Sequence, residues 1–187
     1  MDYSIRPVRA DEWERVRELR LAALRDPVAH LAFVETHEAA LAQPDAFWQG
    51  RAQGASEDGP GRVRQFVAET PEGRWIGTTT VLVERPSDEE PLFGEPAEKD
   101  QTQLVGVYVR PEARGAGVID ALFRTAVEWS WALPAPAVER VRLYVHEDNA
   151  RAAAFYRRFG FVPTGGRIPA PGPASGEDVE YELPRVG

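Results

Sequence analysis

The sequence has 187 residues, a formal net charge of −8 and no cysteine. This length predicts a single domain over residues 1–187. The negative charge argues against general nucleic-acid binding, because phosphate contacts need a basic face. The lack of cysteine excludes disulfides, zinc–cysteine sites and a thiol nucleophile. The sequence has neither the apolar run of about 18 residues that a membrane span requires nor a secretory-signal pattern, so we expect a cytoplasmic protein.

Up to residue 101, the pattern predicts two helices and three strands. Asp11 and Glu14 suit a capping box, with Asp11 as the N-cap and Glu14 reaching back to it. A turn at 71–73 joins two of the strands into a hairpin, and an acidic excursion over 85–101 follows. In chain order the predicted elements are a strand over 4–8, a helix after Asp11, a loop over 30–38, a short helix from Pro44 and strands over 63–69 and 75–84.

From residue 102 onward, apolar strand-like segments alternate irregularly with helical ones. The first of these segments is almost continuously apolar, which is typical of a central strand covered on both faces. Gly160 suits the left-handed position just past the end of the last helix. The irregular order, with hairpins at both ends, predicts a mixed α/β (α+β) sheet rather than a doubly wound one. The predicted elements are a strand over 102–109, a helix that follows Gly117 and runs to about Ala132, a strand over 138–145, a helix after Asn149, a loop over 163–176 and a strand over 179–183.

A glycine-containing turn, Arg114-Gly115-Ala116-Gly117, lies where the helix after the apolar strand begins. The N-terminus of a helix offers unpaired N–H groups and a positive dipole end to an anion, and glycine lets the backbone approach a phosphate closely. The dinucleotide-binding fingerprint needs a third glycine where this chain has Asp120, and a P-loop needs a lysine that this segment lacks. These residues therefore predict a phosphate site that is neither a dinucleotide-binding fingerprint nor a P-loop. A turn whose glycines serve only tight packing stays an open alternative.

A second segment, one strand further along the chain, supplies the context that the turn alone lacks. The two segments contain Val109-Arg-Pro111, Arg114-Gly-Ala-Gly117 and Asn149…Tyr156…Gly160-Phe161. Their order and spacing resemble the GCN5-related N-acetyltransferase (GNAT) superfamily, and the resemblance covers nearly the whole sequence. In that superfamily a strand ends in a Val-x-Pro step, Arg/Gln-x-x-Gly-x-Gly/Ala follows, and an Asn…Tyr…Gly-Phe pattern comes after the next strand.

The resemblance implies a GNAT fold, which is a single mixed, mostly antiparallel sheet with helices on both faces. Its central parallel strands, here 102–109 and 138–145, splay apart to hold acyl-CoA, so acetyl-CoA is the implied cosubstrate and no metal is expected. Asn149 equally suits a helix N-cap. The family's last small residue corresponds to Ile119, whose side chain we expect to point into the core. The implied cofactor-binding residues are Val107, Tyr108, Val109, Arg114, Gly115, Ala116, Gly117, Val118, Ile119 and Asn149.

The implied activity is transfer of an acetyl group to a primary amine of a small molecule, protein or peptide by direct attack. Tyr156 is the implied catalytic acid for the departing thiolate, although its spacing also fits a core tyrosine. Gly106 suggests a bulge whose freed N–H would stabilise the thioester oxyanion. Residues 101–108 contain no carboxylate to act as the base, which leaves Glu69, Glu84, His146 or water alone.

Selection of the amine falls to residues 26–56, 85–101 and 163–178, where Phe33, Trp48 and several acidic residues suit an apolar or cationic acceptor. Members of the family are often dimers, so a homodimer is a further expectation.

Two other functions stay open. One is a non-catalytic acyl-CoA-binding module, which the missing carboxylate and Ile119 favour, and the other is an α/β interaction domain in which both motifs are structural.

Overall fold

The computed structural model describes residues 1–185, which form one seven-stranded sheet with six α-helices around it. The strands are β1 (Ser4–Pro7), β2 (Val63–Glu69), β3 (Trp75–Glu84), β4 (Gln101–Val109), β5 (Arg140–His146), β6 (Val162–Pro169) and β7 (Glu177–Pro184). The helices are α1 (Trp13–Leu24), α2 (Ala29–Ala32), α3 (His37–Leu41), α4 (Asp45–Ala55), α5 (Val118–Ala132) and α6 (Ala150–Phe159). Among these helices, none is both long and apolar enough to cross a bilayer.

The sheet has the strand order β1-β2-β3-β4-β5-β7-β6. Every neighbouring pair is antiparallel except β4 and β5, which are parallel. A parallel pair needs a crossover connection, and here α5 provides it between the two strands. The predicted mixed, mostly antiparallel sheet with one central parallel pair is therefore confirmed.

Apolar residues on both faces of the sheet form two cores. Because successive residues of a strand point to opposite faces, Phe66 of β2 packs beneath α5 and α6, whereas Val67 packs beneath α1 and α4. Trp75 and Ile76 of β3 divide between the two cores in the same way. Helices thus cover both faces, as the sequence predicts.

An aromatic cluster fixes α6 against α5. Phe123 of α5 is fully buried, and its ring centroid lies 5.0–6.1 Å from those of Phe155, Tyr156, Phe159 and Phe161. Aromatic pairs at such separations each contribute about 0.5–1.5 kcal/mol beyond the burial of their area. The cluster therefore holds Tyr156, a predicted site residue, in a fixed position.

The parallel pair is short. β4 and β5 are in register only over Gln101–Gln103 and Arg140–Arg142. Side chains reinforce these rungs, since Arg140 Nε donates to Gln101 Oε1 and Arg142 Nε donates to Gln103 Oε1, both over 2.7 Å. Beyond these three residue pairs the two strands separate, which is the predicted splay.

A buried ion pair lies beside these rungs. Arg142 Nη2 is 2.9 Å from Glu84 Oε2, and the two side chains are 1% and 3% exposed. Burial raises the pKa of Glu84, although the hydrogen bond from Gln101 and the charge of Arg142 oppose that rise. The end at which β4 and β5 pair therefore depends on an ion pair that is shielded from water.

Several predicted elements are confirmed at their predicted bounds, and one cap is wrong. β2, β3 and α5 begin and end as expected, and Gly160 has a φ of 120° just past α6. The first helix, however, is not capped by Asp11 and Glu14. A 3-10 turn over residues 10–12 precedes α1, and Glu12 Oε2 accepts the Arg9 N–H over 2.9 Å.

Two segments predicted as loops contain regular structure. Residues 163–176 include most of β6, an edge strand whose side chains are exposed apart from Ile168. It was missed because prolines, adjacent glycines and a break in register hide the alternating pattern. Residues 30–38 contain most of α2 and the start of α3, each too short to show a helical period, although the Thr36 side chain caps α3.

We expect Arg142→Leu to lower the free energy of unfolding by about 3–5 kcal/mol, because it leaves Glu84 buried without its counter-charge. Urea denaturation followed by circular dichroism measures this loss. Arg62→Leu is the control, since Arg62 pairs with Asp88 over 3.2 Å at the surface and such pairs contribute about 0–1 kcal/mol. Equal losses in the two variants would show that the buried pair has no special role.

Candidate functional site

The gap between β4 and β5 opens into two cavities. One, of about 480 Å³, lies at the N-terminus of α5 and is called the α5 cavity. The other, of about 410 Å³, lies around Gly106 of β4 and is called the β4 cavity. The two meet, because the same five residues line both: Ala32, Phe33, Val107, Asn149 and Tyr156.

The start of α5 presents free backbone donors to the α5 cavity. Gly115 and Gly117 have φ values of 84° and 77°, which only glycine adopts without strain. The first N–H to bond back into the helix is that of Ala121, which donates to Gly117 O over 3.1 Å. Within residues 1–185, the N–H groups of Val118 and Ile119 find no such acceptor. This turn therefore has the features of an anion seat that the sequence predicts.

The Arg114 side chain fastens this turn to its surroundings. Its Nε donates to Val109 O over 3.0 Å, and its Nη2 bonds Asp26 at the end of α1. Burial would raise the pKa of Asp26, but the hydrogen bonds from Arg114 and the Val28 N–H lower it. Arg114 lines the α5 cavity with part of its charge already matched.

Other predicted cofactor residues also line the α5 cavity. Tyr108, Val109, Val118 and Ile119 all do so, whereas Ala116 does not. Ile119 is half-buried and packs against the core while contributing to the cavity wall. Its side chain therefore points towards the core, as expected, without closing the cavity.

The predicted bulge at Gly106 is confirmed. Thr78 pairs with Tyr108 and Thr80 with Val105, so one residue of β3 faces two of β4. Gly106 adopts a φ of 62° there. A bulge leaves its extra residue out of the ladder, so β4 changes its course where the two cavities meet.

Tyr156 and Asn149 lie at the junction of the cavities. Tyr156 is 8% exposed, and burial, with no hydrogen bond or charge to oppose it, raises the pKa of its hydroxyl well above the usual range. The hydroxyl therefore keeps its proton at neutral pH and can donate a hydrogen bond. Asn149 Oδ1 accepts the Ala152 N–H over 3.2 Å, which confirms its role as the N-cap of α6.

None of the carboxylates named from sequence reaches either cavity. Glu69 lies elsewhere in the sheet, where hydrogen bonds from Arg6 and Arg15 outweigh burial and lower its pKa to about 2. Glu84 is enclosed beside Arg142. Both are structural.

His146 does line the β4 cavity, but both of its ring nitrogens are engaged. Nδ1 accepts the Asp148 N–H over 3.2 Å, and Nε2 lies 2.9 Å from Ser175 O. Since a carbonyl oxygen can only accept, Nε2 carries the proton. Neither ring nitrogen therefore has a lone pair free to act as a base.

Asp178 is the carboxylate that sequence reasoning missed. It lies opposite His146 in the pairing of β7 with β5 and lines the β4 cavity. Burial raises its pKa, against a smaller opposing effect of His146. The signal was the alternation of Asp178, Glu180 and Glu182, which places all three on one face of a strand that begins two residues earlier than predicted.

The three segments assigned to acceptor selection all contribute to the β4 cavity, although Trp48 is fully buried elsewhere. Arg20 and Arg51 also line it, and no sequence motif marked them. Across residues 1–185, no group of three or more His, Asp or Glu side chains is arranged to hold a metal ion.

Comparison with known proteins agrees with this geometry. The model of the Acetyltransferase (GNAT) family matches residues 13–161. The chain belongs to the GNAT family. A PaiA N-acetyltransferase from Thermoplasma acidophilum, solved with coenzyme A, superposes with a TM-score of 0.71 at 16% identity and covers 99% of this chain and 100% of that one. A GNAT acetyltransferase from Streptococcus pneumoniae has the same TM-score at 13% identity, covering 98% and 100%. At such identities these structures establish the fold.

Curated relatives match over shorter stretches. A mycothiol acetyltransferase of Saccharomonospora viridis is 36% identical over 96 residues, which are 51% of this chain and 29% of that protein. A Bacillus subtilis protein named as a ribosomal protein bS18-alanine N-acetyltransferase is 35% identical over 68 residues, 36% of this chain and 43% of that one. This GNAT chain thus spans less than half the length of either relative.

We expect Gly106→Ala to lower the free energy of unfolding by about 1–2 kcal/mol, because an L-residue is strained at this φ. Crowding adds little, since a new Cβ would meet nothing nearer than Thr80 Oγ1 at 3.6 Å. The control is Gly50→Ala, at an open position within α4, where the same change typically stabilises by about 0.4–1 kcal/mol. Stabilisation in both variants would contradict the bulge.

Proposed function

We propose that this GNAT chain is an acetyl-CoA-dependent N-acetyltransferase that transfers the acetyl group directly to a primary amine. The observation that carries this proposal is the junction of the two cavities at Val107, Asn149 and Tyr156. One cavity ends at an anion seat and the other contains a half-buried carboxylate, so each suits one of the two substrates.

The α5 cavity fits acetyl-CoA. The free N–H groups at the start of α5 suit the pyrophosphate, and the exposed side chains of Arg151 and Arg158 lie on the same wall. Beyond residue 103, β4 has no strand partner on its β5 side, so the backbone at Val107 is available to an extended pantetheine arm, whereas Val109 O already accepts from Arg114. The similar PaiA structure holds coenzyme A, which supports the same cosubstrate here.

The acetyl thioester supplies an activated acyl group. Residues of the β4 cavity and of the junction accept and donate the protons and hydrogen bonds that the transfer requires. An alkylammonium acceptor must first lose a proton, which costs about 4–5 kcal/mol at pH 7 for a pKa near 10. Asp178 is the acceptor for that proton in the β4 cavity. The bulge at Gly106 provides an N–H for the developing oxyanion, and Tyr156 donates to the departing sulfur.

Asp178 also weakens the case for a non-catalytic acyl-CoA-binding module. That alternative depended on the absence of a carboxylate from the first motif strand, and β7 supplies one instead. The names of the two curated relatives differ in the amine they imply, so a small-molecule amine and a protein amine are both consistent with the proposed reaction.

Tyr156→Phe should lower kcat about 100-fold, because the departing thiolate loses its donor, and should leave the affinity for acetyl-CoA unchanged. A thiol reagent measures released CoA without background, since the protein has no cysteine. Tyr181→Phe is the control, because that hydroxyl accepts from Arg157 outside both cavities. Full activity of Tyr156→Phe would remove this residue from the mechanism.

Asp178→Asn should alter the pH profile of kcat/KM. Because burial raises the pKa of Asp178, activity of the wild type should rise with pH through that raised value, where the carboxylate becomes a base. The variant should instead follow deprotonation of the amine in solution, so its deficit is largest at neutral pH and disappears above the amine pKa. Asp148→Asn, at an exposed position between β5 and α6, should retain the wild-type profile. Superimposable profiles for wild type and Asp178→Asn would leave water as the base.

A further inference from the structure

Two arginines on the wall of the β4 cavity have no role in the proposed chemistry. Arg20 comes from α1 and Arg51 from α4, and both line the cavity into which the acceptor amine would enter. Their side chains are 15% and 33% exposed. Charged groups at this depth need a counter-charge.

A single carboxylate serves both arginines. Glu35 Oε1 lies 2.6 Å from Arg20 Nε and 3.9 Å from Arg51 Nη1. Glu35 does not line the cavity, so it compensates the pair only in part, from behind the wall. The two guanidinium groups and Glu35 together carry a net charge of +1, and Asp178, which lines the same cavity, is assigned to the acceptor amine.

The pKa shifts of the two arginines reflect mainly their burial. Burial lowers the pKa of Arg20, with Glu35 opposing the shift. Burial and, to a smaller extent, the nearby charge of Arg20 lower the pKa of Arg51 to about 10. Both shifts have the direction that burial imposes on a cation.

The two guanidinium groups are held in place with donors to spare. Arg20 lies over the Phe33 ring at 4.4 Å and Arg51 over the Trp48 ring at 5.9 Å, measured to the ring centroids. Among the described residues, Arg20 uses only its Nε in a hydrogen bond. A planar guanidinium with free Nη donors is well matched to a carboxylate or phosphate.

Arg20 also lies close to the reacting centre. A Cβ atom built on Gly106 would be 3.8 Å from Arg20 Nη1. An anion on the arginines would therefore be only a few bonds away from an amine at the bulge. Much of the remaining wall is apolar, formed by side chains such as Leu31, Leu82, Leu92, Phe93 and Leu104.

From this arrangement we infer that the acceptor carries an anionic group near its amine, bound by Arg20 and Arg51. The inference rests on the proposed N-acetyltransferase function and names the substrate class. A net charge of +1 is matched by one carboxylate, whereas a phosphate dianion would exceed it. An amino acid with an apolar side chain fits these features, and a polyamine does not, because two guanidinium groups would repel its second cation.

The test is a panel of matched amines. It contains the proteinogenic amino acids, their decarboxylated counterparts (isopentylamine for leucine, phenethylamine for phenylalanine) and the aminophosphonate analogue of leucine. CoA release should give kcat/KM values about 10- to 100-fold higher for carboxylates than for their counterparts, as expected for hydrogen bonds to a charged group. Higher values for the aminophosphonate would assign the anion as phosphate-like rather than carboxylate.

Arg51→Gln should raise KM about 10- to 100-fold for the preferred amino acid and leave KM for its decarboxylated counterpart unchanged. Arg17→Gln is the matched control, since Arg17 lies on α1 near Asp45 and outside the cavity. Equal losses with both members of a pair would mean that Arg51 is merely structural, and the inference would be wrong. The same holds if wild type prefers the amines that lack a carboxylate.

Calorimetric titration separates this inference from the proposed function. Leucine, phenylalanine and their N-acetyl derivatives serve as probes for wild type and Arg51→Gln, and no turnover is needed. Binding that weakens in the variant supports the anion site even if no amine yields CoA, a result that would overturn the acetyltransferase function alone. Binding that is absent or unchanged by the variant overturns the anion site, whatever the activity.

Discussion

The separation of β4 from β5 is the constraint on which the remainder of this structure depends. Two parallel strands would normally continue their ladder, but here the ladder ends after three residue pairs. Gln101 and Gln103 bond Arg140 and Arg142 across those rungs, and a buried carboxylate, Glu84, completes the cluster. The strands are therefore fixed firmly at one end, and their different courses beyond it create a gap that no side chain fills.

The groups at the junction, Val107, Asn149 and Tyr156, follow from the two elements that form the gap. β4 leads through a glycine turn into α5, so the start of that helix faces the opening. β5 leads into α6, where Asn149 serves as the N-cap and brings Tyr156 two turns further along. The aromatic cluster around Phe123 then fixes one helix against the other. The geometry of the junction is thus set by the packing of the core.

The backbone features of the α5 cavity were predictable from sequence, whereas individual side chains of the β4 cavity were not, for a physical reason. The α5 cavity depends on backbone conformation, and glycines such as Gly117 mark a helix start locally, as Gly106 marks the bulge. The β4 cavity depends on side chains from distant segments. Asp178 lies at the β4 cavity because β7 pairs with β5. Arg20 and Arg51 come from α1 and α4, which precede β4 in the chain. No motif or spacing in the sequence indicates that these three side chains line one cavity.

The balance of charge distinguishes structural arginines from those that serve a ligand. Arg140 and Arg142, at the closed end of the parallel pair, each contact two carboxylates. Arg20 and Arg51, at its open end, share Glu35 alone. In a protein with a net charge of −8, acidic side chains are abundant, so their scarcity around this second pair is not a matter of composition. A positive charge that is not compensated inside a cavity destabilises the folded state. A bound anion that supplies the missing negative charge best explains the arrangement of Arg20 and Arg51.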